Sequence, residues 1–174
     1  VNGSSIANTI TFTGASGASD TLVQISLSGA SDVILDDLFI YNMSSDGVVL
    51  NETDNVTISN STIQVTTTST STLAGMPIAS RSGQYYYNGS SESNLTIVNN
   101  ELIGGYYGIS LYGSSMNRSS NVHVSDNTFS LQYYYGVNLS YTDGVTFNNN
   151  TVSGFRSSSA CLLYTSPSPR DSDS

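Results

Sequence analysis

No lysine occurs among the 174 residues, and the four cations are Arg81, Arg118, Arg156 and Arg170. Thirteen acids bring the net charge to -9. A nucleic-acid surface needs clustered Lys and Arg against the phosphates, so that partner is excluded. The same shortage of cations argues against a polybasic membrane surface. Only 10% of the chain is charged, against about 25% in an ordinary soluble domain. Tryptophan is absent, and His123 and Cys161 are the lone imidazole and thiol. A single thiol says nothing of a disulfide framework. A copper site would draw on His, Met and Cys, but Met43, Met76, Met116 and His123 fall at unrelated positions of the repeat described below. No apolar run approaches the roughly 18 residues of a membrane-spanning helix. Good helix formers are scarce, which removes a helical bundle. Ser (34), Thr (18), Asn (17) and Gly (15) supply nearly half of the chain.

Those polar residues are arranged in a repeat. Asn55-Val56-Thr57-Ile58-Ser59-Asn60, Asn94 to Asn99, Asn121 to Asp126 and Gly144 to Asn149 superpose, and Asp32 to Asp37 and Thr9 to Phe12 join them. The first apolar residues of the six segments are Ile10, Val33, Val56, Leu95, Val122 and Val145, with spacings of 23, 23, 39, 27 and 23. A constant unit with two insertions explains these values. Within a unit, apolar residues alternate at the first and third positions, as in Val33/Leu35 or Val122/Val124. Period two marks a strand with one buried face. An apolar residue seven positions on (Ile40, Ile63, Leu102, Phe129, Val152) marks a second strand. A stretch that usually opens with Gly, such as Gly108-Ile109-Ser110-Leu111, marks a third, with Gly75-Met76-Pro77-Ile78 its weakest example.

Three short strands per unit predict a parallel solenoid whose coils stack about 4.8 Å apart. The units resemble the parallel β-helix repeats of the pectin-lyase-like superfamily, from residue 8 to about 156. The fold class expected is all-β, a right-handed single-stranded parallel β-helix of about six coils. A leucine-rich repeat fits less well, because the leading Leu is replaced by Ala30, Thr53, Glu92, Ser119 and Thr142. The β-helix is assigned to residues 1–160, with an insertion over 64–93 in the third coil, where broken strand pairing is expected. Residues 161–171 resemble a translated sequencing adapter (Cys-Leu-Leu-Tyr-Thr-Ser-Pro-Ser-Pro-Arg-Asp), so 161–174 are read as a non-native tail and the rest as a fragment whose flanking coils or domains are missing. Residues 160–164 are nevertheless expected to dock beside Val137–Leu139, with Ala160 and Leu162 in the third-strand slots.

Stacking decides which polar residues become neighbours. Asn100, Asn127 and Asn150, with Ser61 before them, form a column whose amides can bond along the axis, a structural role. Leu38 interrupts that column, so a different turn is expected in the second coil. His123 points outward between Thr96 and Thr146. The only adjacent acids, Asp36 and Asp37, are with Asp32 a candidate Ca²⁺ site in competition with a solvated turn. Tyr106-Tyr107 and Tyr133-Tyr134-Tyr135 each precede the Gly of a third strand and should stack in adjacent coils. They are candidate platforms for sugar rings, in competition with a role as corner plugs. Pectin-active members of the superfamily use clustered Asp with basic partners, and no such set carries over, so no catalytic residue is assigned. Arg81 and Arg118 are the cations to follow. Ten N-x-Ser/Thr sequons accord with secretion. The function expected is a non-catalytic segment of a larger secreted or cell-surface protein, in adhesion or in binding a polysaccharide or other glycan. The alternative is a fragment of a polysaccharide lyase, hydrolase or epimerase whose site lies elsewhere in the chain.

Overall fold

The structure is a computed structural model that describes residues 9–14, 21–68, 70–71, 75–81 and 89–166. The chain winds through six coils. The first contains β1 (Ile10–Thr13) and β2 (Ile25–Ser28), the second β3 (Ser31–Asp36), β4 (Phe39–Asn42) and β5 (Val48–Asn51). The third holds β6 (Asp54–Ser59), β7 (Thr62–Val65) and β8 (Ile78–Ser80); the fourth β9 (Ser93–Val98), β10 (Glu101–Ile103) and β11 (Tyr107–Tyr112). The fifth holds β12 (Ser119–Ser125), β13 (Thr128–Ser130) and β14 (Tyr135–Ser140), and the last β15 (Thr142–Asn148), β16 (Thr151–Ser153) and β17 (Cys161–Ser166). Every strand pairs in parallel with its counterpart one coil away. The first sheet runs β1-β3-β6-β9-β12-β15, the second β4-β7-β10-β13-β16, and the third β2-β5-β8-β11-β14-β17.

Register follows the apolar alternation. Val33 pairs with Val56, Val56 with Leu95, Leu95 with Val122 and Val122 with Val145. The apolar positions of all three sheets turn inward to a single core that includes Leu35, Ile63, Ile97, Ile109, Phe129 and Leu139. Of the inward-facing positions, Ile10, Ile25, Val145 and Phe147 are half-buried. Phe12 and Val152 are 39% exposed. All of these lie in β1, β2, β15 and β16, outermost strands of their sheets, which have a neighbour on one side only. Phe129, inside the stack, is fully buried.

Two columns of left-handed residues frame the first sheet. Asp32, Asn55, Asn94, Asn121 and Gly144 precede the first inward residue, with φ between 51 and 63°. Asp37, Asn60, Asn99, Asp126 and Asn149 follow the strand, with φ between 50 and 57°. The left-handed region is costly for most L-residues and least so for Gly, Asn and Asp. The recurring Asn and Asp at each end of the repeat therefore supply the backbone conformation that turns the corner.

Beside the second column runs a buried polar ladder. Asn100 Oδ1 accepts from the Ser61 N–H (3.0 Å), and Asn100 Nδ2 donates to the carbonyls of Ile58 and Val98 (2.9 and 3.0 Å). Asn127 repeats this, accepting from the Asn100 N–H (2.9 Å) and donating to Ile97 and Ser125 (both 2.9 Å). Asn150 accepts in turn from the Asn127 N–H (3.0 Å). The second coil does not depart from this turn as Leu38 suggests. Ser61 Oγ accepts from the Leu38 N–H (3.0 Å) and donates to the Ser59 carbonyl (2.7 Å), and Asp37 has the same positive φ as its column. A hydroxyl one coil above substitutes for the amide, because Leu38 offers the row its N–H rather than its side chain.

The third coil keeps its ladder where the long spacing predicts a broken one. Ile78 pairs with Val48 below and Ile109 above. The extra residues divide into two loops on either side of β8. Ile78 follows Ile63 by 15 residues, where Val48 follows Ile40 by 8, and it precedes Leu95 by 17, where Val48 precedes Val56 by 8. Pro77 immediately precedes the strand, where its missing N–H breaks no rung, and its carbonyl accepts from the Val48 N–H (2.9 Å). β17 pairs with β14, but three residues out of the expected register: Leu163 and Thr165, not Ala160 and Leu162, lie opposite Val137 and Leu139. The corner before β17 takes up the difference, with Arg156 and Ser157 N–H groups bonded to the Gln132 and Tyr133 carbonyls (2.9 and 3.1 Å). Pro167 and Pro169, expected to trail away from the sheet, and Tyr85–Tyr87, expected to fold over the tyrosine edge, lie outside the described residues.

Candidate functional site

Tyr107 and Tyr135 open β11 and β14 and are register partners. The glycines that follow place them there. A Cβ on Gly108 would come within 2.6 Å of both the Phe129 ring and the Gly136 carbonyl oxygen. Only glycine lets the chain pass this close to the core, and the preceding tyrosines are left on the outside of the corner. The Tyr107 and Tyr135 rings stack with centroids 5.5 Å apart and planes 7° apart, and Tyr164 continues the stack at 4.9 Å and 3°. Tyr106 lies 5.4 Å from Tyr133 and 5.7 Å from Tyr134, and Tyr134 lies 4.3 Å from Tyr135. The structure thus brings all five candidate tyrosines together. Tyr107 is 8% exposed and is buried with Met76 and Ala79, under Tyr106, Tyr134 and Tyr135, in a small apolar cluster separate from the main core.

Between this cluster and Tyr112 the third sheet carries an open cleft of about 270 Å³, lined by Tyr107, Tyr112, Tyr134, Tyr135, Asn138, Ser140 and Tyr164. Asn138 and Ser140 lie on its floor, 4% and 6% exposed. Burial, reinforced by the hydrogen bond with Tyr134, pushes the Tyr135 phenol up to about 12. It is therefore a neutral hydroxyl at physiological pH, able to donate or accept. Sequence reasoning did not anticipate Tyr112, Asn138, Ser140 or Tyr164 here. The signal was present, since Ser110/Asn138 and Tyr112/Ser140 alternate outward with the inward Ile109, Leu111, Val137 and Leu139.

The candidate calcium ligands are not brought together. Asp32 and Asp36 lie at opposite ends of β3, roughly 13 Å apart along an extended strand, and each is engaged with the next coil. Asp32 accepts from Asn55 Nδ2 (2.6 Å), and Asp36 accepts from Ser59 Oγ and Asn60 Nδ2 (2.6 and 2.7 Å). The bond from Ser59, then that from Asn60, holds the Asp36 carboxyl below the usual carboxylate range. Asp37 is exposed in its left-handed turn. Among the described residues no three of His, Cys, Asp and Glu converge on a metal position. His123 is half-buried and pairs with Thr96 and Thr146.

The cations are engaged in pairs. Arg118 grips Asp143 through Nε and Nη2 (2.5 and 2.8 Å) and lies 5.9 Å over the Tyr141 ring. Arg81 pairs with Asp46, which is 1% exposed and also accepts from the Met76 N–H (2.8 Å). A fully buried carboxyl, Glu92, was missed at the sequence level. One oxygen accepts from Ser90 and Ser80 hydroxyls (2.6 and 3.1 Å), the other from the Thr53 N–H (2.8 Å) and hydroxyl. Its position, shared with Thr53 and Ser119, was visible only as the place where a leucine-rich repeat would put its Leu. Glu92 and Asp46 tie the two loops of the third coil to neighbouring coils.

The family model for the right-handed β-helix region matches residues 2–152. The chain belongs to that family. No curated protein and no solved structure matched it. The handedness of the solenoid and its three strands per coil accord with the family, and membership of the pectin-lyase-like superfamily is consistent with both. Within this β-helix, the tyrosine cleft brings aromatic rings, an amide and a hydroxyl together on open space.

Proposed function

We propose that this β-helix is a non-catalytic, glycan-binding segment of a larger secreted or cell-surface protein, and that the cleft of the third sheet is where the glycan lies. The observation that carries the reading is the lining of the cleft: tyrosines around a floor of amide and hydroxyl, on a rigid ladder of paired strands. Aromatic rings with polar tips suit a ligand that is apolar on its C–H faces and polar at its rim. The strands hold these groups in place before any ligand arrives, which lowers the ordering cost of binding. The Arg118–Asp143 pair, the most exposed acid and base in contact, is closed on itself outside the lining, which favours binding over acid–base chemistry.

The test is retention of the full chain on immobilised polysaccharides. Retention on at least one, lost on Tyr112→Ala with the unfolding transition intact, supports the reading. Absence of retention on every polysaccharide, or retention that survives Tyr112→Ala and Tyr134→Ala alike, overturns it.

A further inference from the structure

Ten N-x-Ser/Thr sequons occur in the chain, and the fold separates them by what each asparagine already does. The inference drawn from them rests on the secreted or cell-surface part of the reading above, the route on which such sequons receive glycans. Asn42 and Asn138 are each 4% exposed, too deep for a sugar. Asn55, Asn60 and Asn94 are exposed but stand in the left-handed columns. Their amides donate to Asp32, Asp36 and Asp54 one coil below (2.6, 2.7 and 2.8 Å). Asn60 and Asn94 also accept from Asn99 and Asn121 one coil above (2.6 and 2.7 Å). Asn51 Nδ2 donates to Ser28 Oγ (3.0 Å). A glycan on one of these would replace a hydrogen of an amide packed between strands about 4.8 Å apart, where a pyranose ring does not fit.

Asn117-Arg118-Ser119 differs from all of these. The spacing from Leu95 to Val122 is 27 residues instead of 23, and the extra residues make a turn outside the ladder. The Ser114 N–H donates to the Asn117 carbonyl (2.9 Å), and the Asn117 N–H donates to the Ser114 carbonyl and hydroxyl oxygens (3.2 and 3.0 Å). The backbone of Asn117 is thus held while its side chain is exposed, next to Met116, which is 97% exposed. Among the described residues the Asn117 amide has no hydrogen-bond partner. Arg118 is drawn aside by Asp143. We propose that Asn117 is an N-glycan acceptor of this β-helix, with a lipid-linked oligosaccharide as donor. The side-chain nitrogen bonds to the anomeric carbon, the C–O bond to the lipid pyrophosphate breaks with its electron pair going to the leaving group, and the nitrogen loses one proton to a base of the transferase. Asn149 ends its column with a coil on one side only, so a glycan there fits the same geometry. Asn2 and Asn88 lie outside the described residues.

The experiment is secretion of the full chain behind a cleavable leader from a eukaryotic host that N-glycosylates, followed by glycopeptide mass spectrometry of each sequon. Asn117 should be occupied in most of the secreted molecules, and Asn42, Asn51, Asn55, Asn60, Asn94 and Asn138 should be bare. Asn117→Gln should lose that glycan with the unfolding midpoint unchanged, because the replaced amide holds no part of the fold. The variant is made at Asn117 because the Ser119 hydroxyl accepts from the N–H of the buried Glu92 (3.1 Å). A bare Asn117 overturns the inference. So does a glycan on Asn55, Asn60 or Asn94 in a chain whose unfolding transition matches that of the enzymatically deglycosylated protein. The leader supplies the secretory route, so either failure falls on the choice of acceptor and leaves the secreted, glycan-binding reading to its own retention assay.

Discussion

Replacing Asn127 by alanine should be among the most damaging single changes of a polar residue in this protein. The side chain is 1% exposed. Its loss strands the Asn100 N–H (2.9 Å) and removes one bond from each of the carbonyls of Ile97 and Ser125 (both 2.9 Å), the second of which still accepts from the Asn99 N–H (3.1 Å). An unsatisfied buried polar group costs about 1–3 kcal/mol. One stranded donor at the upper end of that range, with a smaller loss at each carbonyl, gives an expected cost of about 2–4 kcal/mol. Asn150 offers an internal comparison. It makes the same kind of bonds but is half-buried in the last coil, so Asn150→Ala should cost about 1–2 kcal/mol. Ser61 offers another, since a hydroxyl at this position of the third coil retains one accepted and one donated bond. Asn127→Ser should therefore recover about half of the loss. The assay is urea unfolding of the full chain followed by circular dichroism, with an unchanged slope as the sign that only stability has moved. A cost below about 1 kcal/mol for Asn127→Ala, or equal costs at 127 and 150, would refute the ladder as a stabilising element.

Glu92→Ala leaves the Thr53 N–H and the Ser80 and Ser90 hydroxyls without their shared acceptor and should cost about 3 kcal/mol; Glu92→Gln, which keeps the volume and one carbonyl oxygen, should cost less than half of that in the same urea assay. Hydrogen bonds lower Asp36 and Asp54 below the ordinary value of 3.8, Ser59 and Ser93 being the largest causes. A depressed folded pKa adds stability above the unfolded value and loses it as pH falls through the folded one. Acid titration should therefore show stability falling from just above pH 3.8 downward, and the fall should be shallower in Asp36→Asn/Asp54→Asn. Comparison of residues 1–160 with 1–174 tests whether the tail is foreign. Half-burial of Leu162 and Leu163 contributes about 1 kcal/mol each, and fixing six strand residues costs about 1–2 kcal/mol each, offset by the hydrogen bonds to β14. The two chains should unfold within about 1 kcal/mol of each other, and a loss of several kcal/mol on truncation would show that the tail belongs to the fold.

The solenoid was legible because its period is short and its alternation is binary. Once Val33, Val56, Leu95, Val122 and Val145 are aligned, stacking fixes their neighbours, and the pairing follows without further information. What remained illegible is where the extra residues of an irregular coil go. The interval between Val56 and Leu95 contains a strand, Ile78–Ser80, too short to show a period. Only its partners on both sides, Val48 and Ile109, identify it. The three-residue slip at β17 has the same origin, because Arg156 and Ser157 form corner bonds that no apolar pattern announces. The left-handed columns were legible in principle. Asn, Asp or Gly recurs at both ends of the first strand in every coil from the second to the sixth, and the physical reason is a backbone angle, not side-chain chemistry.

The site was legible as a location and not as a geometry. That Tyr107 and Tyr135 both precede a glycine was enough to place them in one column, since parallel pairing carries equal offsets into contact. Which ring faces stay open is a point that sequence does not carry: Tyr135 has Tyr107 over one face and Tyr164 over the other. Between Tyr112 and Tyr135 the register leaves a gap, because the outward residues there are Ser110, Asn138 and Ser140 instead of further rings. A repeat protein acquires a site where the repeat is interrupted. In this chain the interruption is the change from tyrosine to small polar residues along one outward face.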